Sequence, residues 1–196
     1  SLFEKKDELY GKIWNEYKVD SLHAYGDYDE SCMFGWGSAL VIESLSKHFG
    51  KRKKMVAHFN EWTVGMGLLC VKTDMPNVAT VFTTHATSIG RSICGNGKPL
   101  YDYMAGYNGD QMAEELNMQS KHSLEKTAAH QADAFTTVSE VTARECRQLL
   151  EINPYVTPNA FEQNFVPKGE KYNSARKAAR EKMLAGASCL LGEKFS

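Results

Sequence analysis

The sequence predicts an α/β fold, an incomplete parallel sheet of the doubly wound kind with flanking helices. Short apolar β-type runs alternate with helical patterns, the mark of βαβ units. Residues 57–62 and 78–91 repeat one arrangement, in which an apolar run ends in polar and titratable side chains and then turns helical. The chain has 196 residues, 42% of them hydrophobic and 11% aromatic, which is ample for a packed core.

Leu2, Phe3, Leu9, Tyr10, Ile13, Trp14 and Tyr17 recur at helical spacing and give a first amphipathic helix. A second runs over residues 29–49 and stops at Gly50, a common helix terminator. Residues 51–54 form a solvated basic turn. A buried strand follows over 55–59, a helix over 62–71, a second strand over 78–83 and the start of another helix over 89–94. Between residues 95 and 119 glycines, Pro99, Tyr101, Tyr103 and Tyr107 break the periodicity, so a long irregular excursion is expected. A helix over 123–133 leads into a third strand over 134–138. Ser139 caps the next helix, which proline ends at Asn153-Pro154. A short extended piece at 155–159, a loop and a last helix over 170–191 complete the chain. A parallel sheet covered on both faces usually has five or more strands, so three clear strands and a short fourth read as part of a larger protein.

Charge is balanced, with 23 basic and 24 acidic side chains, so no global field recruits nucleic acid or an anionic membrane. The five cysteines are odd in number and widely spaced, which suits reduced core residues in a cytoplasmic protein. None has C-x-x-C or zinc-ligand spacing, so no metal is expected. The charged amino terminus does not read as a secretory signal, and no apolar run approaches the roughly 20 residues of a membrane span.

In open parallel sheets, ligands bind outside the carboxyl ends of the strands. His58, Asn60, Glu61, His85, Thr87 and Arg91 fall there. A strand-end imidazole such as His85 can donate to a hydroxyl or stabilise developing charge, or it can simply be satisfied by backbone. Glu61 at a helix start is favoured there by the helix dipole alone. Arg91 can clamp a phosphate or form a surface ion pair. His130, on a helix just before a strand, suits packing or a capping bond. Gly95-Asn96-Gly97-Lys98 lacks the spacing of a phosphate loop, and the basic stretch 168–182 reads as a solvated face.

Four segments carry a resemblance: Ala57-His58-Phe59-Asn60-Glu61-Trp62, Val81-Phe82-Thr83-Thr84-His85-Ala86-Thr87-Ser88-Ile89-Gly90-Arg91, Ala128-Ala129-His130-Gln131-Ala132-Asp133-Ala134-Phe135-Thr136-Thr137-Val138-Ser139 and Thr157-Pro158-Asn159. Collinear over residues 2–165, they closely resemble glycogen synthases of the animal and fungal type, retaining glycosyltransferases with two Rossmann-like domains facing across a cleft (the GT-B architecture). The short connections would suit a bacterial member. The resemblance implies transfer of glucose from a nucleotide-glucose, UDP-glucose in most members or else ADP-glucose, to the non-reducing end of an α-1,4-glucan, with no further cofactor. Residues 1–166 would be a partial N-terminal Rossmann-like domain, and 167–196 a helix leading toward a second domain that supplies most nucleotide contacts; the isolated chain is then expected to be inactive.

By the same resemblance Glu61, His85 and Arg91 are catalytic, while His58, Asn60, Thr87 and Asn159 bind substrate. Asn159 matches an asparagine usually followed by glycine, but Ala160 stands here and tolerates φ > 0 poorly. Two other readings stay open: a related glycosyltransferase with a small-molecule acceptor, and a non-catalytic glucan-binding module using Tyr101, Tyr103 and Tyr107 as stacking surfaces. Apolar surface left for further domains also predicts self-association, as a homo-oligomer.

Overall fold

The computed structural model describes residues 1–50, 53–160 and 169–192. Contacts divide the chain into two units, Ser1–Pro158 and Asn159–Ser196. The expected boundary at residue 166 and part of the basic turn, Lys51 and Arg52, lie outside the described residues.

In the first unit, α1 (Lys6–Tyr17) follows a 3-10 turn and turns Leu9, Tyr10 and Ile13 inward. Helix α2 (Tyr28–Phe49) ends at Gly50, whose φ of 60° supplies the expected stop. Strands β1 (Met55–Asn60), β2 (Val78–Thr84), β3 (Ala134–Thr137) and β4 (Tyr155–Val156) form one parallel sheet in the order β1-β2-β3-β4. The register aligns Phe59, Phe82 and Phe135 in one row, with the last two rings stacked 5.8 Å apart.

Between β1 and β2, a 3-10 turn leads into α3 (Gly65–Asp74), whose residues 65–71 are all buried. That helix lies against the sheet on one side and α2 on the other, which is why its apolar residues show no polar face. Approach to α2 is backbone to backbone: a Cβ on Gly35 would lie 2.9 Å from the amide nitrogen of Gly67, and one on Gly67 would strike the Gly35 carbonyl.

Three helices link β2 to β3: α4 (Ser88–Gly95), α5 (Gly109–Glu115) and α6 (Gln119–Gln131). The stretch expected to be irregular thus contains a helix of its own. Asn108 caps α5 by accepting the Gln111 amide at 3.0 Å, and Leu100, Met104, Met112, Ala113 and Met118 bury themselves with Ile89, Ile93 and Leu149 in a second core cluster. After β3, Ser139 accepts the Thr142 amide at 3.1 Å and opens α7 (Glu140–Glu145), as its sequence position predicts. The helix then widens into a π turn over Cys146–Leu150. His130 reaches the Leu150 carbonyl at 2.8 Å, a satisfied structural histidine.

Burial alternates along the strands. Ala57, Phe59, Thr80, Phe82, Thr84, Phe135 and Thr137 face α3 and α6, whereas Val56, His58, Asn60 and Ala79 lie on the opposite side and are exposed. Cys32, Cys70 and Cys146 are buried thiols as expected; Cys94 and Cys189 are exposed. No described helix is long and apolar enough to cross a membrane.

In the second unit, α8 (Lys171–Leu191) is a helix with no buried residue, closed by Gly192 at φ 69°. Asn159 belongs to this unit and is exposed.

Candidate strand-end site

The carboxyl ends of β1 and β2 converge because the sheet is parallel and in register, with Asn60 opposite Thr83. The Glu61 amide then adds one more rung by donating to the Thr83 carbonyl at 2.8 Å. Immediately after that rung the backbone leaves ordinary conformational space, since Glu61 sits at φ 68°, ψ 161°. That region is essentially restricted to glycine, and a residue with a Cβ is held there only when its surroundings over-determine it. Such strain gathers at functional positions, where it aims a side chain.

Here it aims the carboxylate back over β2. Glu61 Oε1 accepts the His85 amide at 2.9 Å and lies 3.5 Å from an Arg91 guanidinium nitrogen. Arg91 has 61% of its side chain exposed against 24% for Glu61, so the pair is loose and most donors of the arginine remain open. The His85 ring is exposed, with Nε2 at 3.4 Å from the Asn60 amide oxygen. Carboxylate, imidazole and guanidinium therefore meet at one strand-end turn. An acceptor for hydroxyls, a group that gives or takes a proton and a fixed cation are what a polyhydroxylated, phosphate-bearing ligand requires.

Two of the expected residues stand elsewhere. Thr87 is fully buried, and its hydroxyl accepts the Gly90 amide at 3.0 Å while donating to Glu145 at 3.0 Å. It is the N-cap of α4 and presents no hydroxyl to a ligand, because capping the first turn uses its oxygen. His58 lies on the exposed side of β1, where its Nε2 meets the Thr83 hydroxyl at 2.7 Å and that hydroxyl meets the one on Thr136 at 2.6 Å. A strand side chain two positions before Asn60 shares its face, so His58 flanks the turn from below the strand ends.

Two buried carboxylates unforeseen from the sequence lie under the same turn. Glu125, on α6, has no solvent exposure and accepts the Thr84 hydroxyl and the Ser88 amide, each at 2.7 Å. Burial pushes its carboxyl above the ordinary value of 4.5, and the nearby Glu61 charge adds to the shift. Glu145, on α7, accepts from Thr87 and, at 2.7 Å, from the Tyr101 hydroxyl. The sequence signal for both was spacing: Glu125 lies between Leu124 and Ala128 on the buried face of α6, and Glu145 adjoins buried Cys146.

A depression of about 410 Å³ is lined by Tyr101, Asp102, Met104, Arg144, Arg147 and Gln148, among them the tyrosine that donates to Glu145. A larger one of about 530 Å³, lined by Tyr10, Trp14 and Leu22 among others, lies along α1, away from the strand ends. No group of three or more His, Cys, Asp or Glu among the described residues is arranged to hold a metal ion.

Comparison with known proteins adds a family to this geometry. The model of the glycogen synthase family matches residues 1–182. A glycogen [starch] synthase of Neurospora crassa is 31% identical over 172 residues, covering 87% of this chain and 24% of that protein. The liver glycogen [starch] synthase of Homo sapiens is 33% identical over 156 residues, or 79% of this chain and 22% of the human protein. Isoform 2 of Saccharomyces cerevisiae is 32% identical over 157 residues, with the same shares. The chain thus spans about a quarter of the length of the curated relatives it matches.

Proposed function

Since the chain belongs to the glycogen synthase family, we propose that it forms the acceptor-side portion of a glucosyltransferase active site, with the strand-end turn as its working part. The full-length protein would move glucose from a nucleotide-glucose, UDP-glucose in preference to ADP-glucose, to the non-reducing end of an α-1,4-glucan with retention at the anomeric carbon. The observation that carries this reading is the strained Glu61 backbone, which holds a carboxylate against the His85 amide and beside Arg91.

Glycosyl transfer passes through an oxocarbenium-like state in which positive charge grows on the sugar ring and negative charge on the departing phosphate. A carboxylate fixed in advance favours the first change, and an open guanidinium favours the second. Glu61 is assigned to sugar hydroxyls, His85 to the donor glucose and Arg91 to the phosphate side. Three buried free thiols suit a reducing compartment such as the cytoplasm.

Labelled-glucose incorporation into glycogen by the full-length protein, with UDP-glucose and ADP-glucose offered separately, tests the proposal. His85→Ala should lower incorporation by at least about a hundredfold, the usual cost of losing one preorganised group at a charged transition state. No incorporation from either donor by a folded protein would send the reading to a small-molecule acceptor. Exposed Tyr101 and Tyr103 give the glucan-binding alternative its specific support, and glucan retention unaffected by Glu61→Ala and His85→Ala together would favour it.

A further inference from the structure

The turn that carries His85 and Arg91 is held from beneath by carboxylates that the proposed chemistry does not use. Glu125 joins the last residue of β2 to the first of α4, because it takes the Thr84 hydroxyl on one oxygen and the Ser88 amide on the other. Glu145 takes the Thr87 amide at 3.3 Å and the Thr87 hydroxyl at 3.0 Å on one oxygen, and the Tyr101 hydroxyl on the other. From the same helix Thr142 donates to the His85 carbonyl at 3.3 Å.

Both carboxylates are nearly or wholly shut off from water, at 0% and 3% exposure, and no ion pair among the described residues includes either. Burying two such groups without a cation is costly unless every lone pair is well used. The nearby backbone makes room for them: a Cβ on Gly90 would lie 2.8 Å from Glu145 Oε2 and 2.5 Å from Thr87 Oγ1. A neutral apolar residue would fill either place at lower cost, so the arrangement is explained by what it fixes.

We propose that Glu145 and Glu125 are positioning residues that set the conformation of residues 84–91, and with it the reach of His85 toward substrate. This rests on the reading of the strand-end turn as the site of glucosyl transfer. Glu145→Leu keeps much of the volume but removes both acceptor oxygens, so the Thr87 amide and the Tyr101 hydroxyl lose their partner; glutamine would not do this, because its amide can donate to the Tyr101 hydroxyl while its oxygen accepts from Thr87. Tyr101→Phe removes one donor and leaves Thr87 held.

The experiment pairs steady-state kinetics of the full-length protein with residue-level amide hydrogen exchange on the same samples. For Glu145→Leu the expected result is a fall in kcat of about a hundredfold, the effect of a misplacement of about 1 Å, with a much smaller change in donor KM. Exchange over residues 84–91 should quicken at least about tenfold while β1 and α3 keep their protection, as expected for a local opening. Tyr101→Phe should move both readouts in the same direction and less far. Unchanged kcat, or exchange that quickens evenly over the whole first unit, overturns the proposal and leaves Glu145 with a general stabilising role. If the wild-type protein transfers no glucose, the functional reading fails, and the exchange pattern alone then decides whether the carboxylates hold the turn.

Discussion

Replacing Glu61 by glycine should make the protein more stable than replacing it by alanine, the reverse of the usual order. In ordinary backbone the alanine variant wins by about 0.4–1 kcal/mol, because glycine has more conformational freedom to lose on folding. At φ 68°, ψ 161° the alanine Cβ retains the strain that Glu61 bears, on the order of 1–3 kcal/mol, whereas glycine adopts that conformation freely. Both variants lose the carboxylate and its bond to the His85 amide, so that term cancels. The difference left is about 0.5–2 kcal/mol in favour of glycine. With a urea m-value of about 1–3 kcal/mol/M, the midpoints should separate by several tenths of a molar unit. Urea titration followed by tryptophan fluorescence reads this directly. An alanine variant as stable as the glycine variant, or more so, would refute the strain argument and with it the reason for regarding Glu61 as held in place. Glucose incorporation should be lost in both, because neither retains the carboxylate.

Two further outcomes follow from packing and from charge. Gly67→Ala drives a Cβ into the Gly35 carbonyl, a backbone contact that no rotamer change relieves, and should cost about 1–3 kcal/mol in thermal or urea unfolding; a loss under about 0.5 kcal/mol would show that α2 and α3 slide apart freely. Burial raises the Glu125 carboxyl above its unfolded value of 4.5, so the folded state binds that proton more tightly, and the contribution to stability is full below about pH 4.5 and lost as pH rises through the folded pKa. Glu125→Gln cannot titrate, so its stability relative to wild type should improve as pH rises from about 4.5 to the folded pKa and then level off, and a difference independent of pH would overturn the assignment.

The sheet was legible because its strands are short apolar runs closed by polar residues, and the parallel order follows from the helices between them. Helix α5 was not, since Gly109 and only a few apolar residues such as Met112 and Ala113 give a weak periodic signal, and its stability comes from the second core cluster, a tertiary effect. Strand-end logic puts Glu61, His85 and Arg91 at one end of the sheet, where the structure brings them within reach of one another, but the positive φ of Glu61 leaves no trace in a residue type that rarely adopts it. Thr87 proves to be the buried N-cap of α4, since a threonine before a helix suits a cap as well as a ligand contact and only burial separates the two. Glu125 and Glu145 escaped notice because a glutamate in an amphipathic helix ordinarily marks the wet side.

The strand order β1-β2-β3-β4 repeats the order of synthesis, so each strand finds its neighbour already laid down when it emerges. The residues that brace the turn at 84–91 come later: Glu125 follows it by a loop and two helices, and Glu145 arrives only after β3. Sheet and site are therefore completed at different times. A chain that has made β1, β2 and the His85 turn still lacks Glu125 and Glu145, and on the proposal above the turn is braced only once α6 and α7 are added. A chain halted before Glu145 would carry the family's strand-end motifs on a sheet whose turn had not yet been locked.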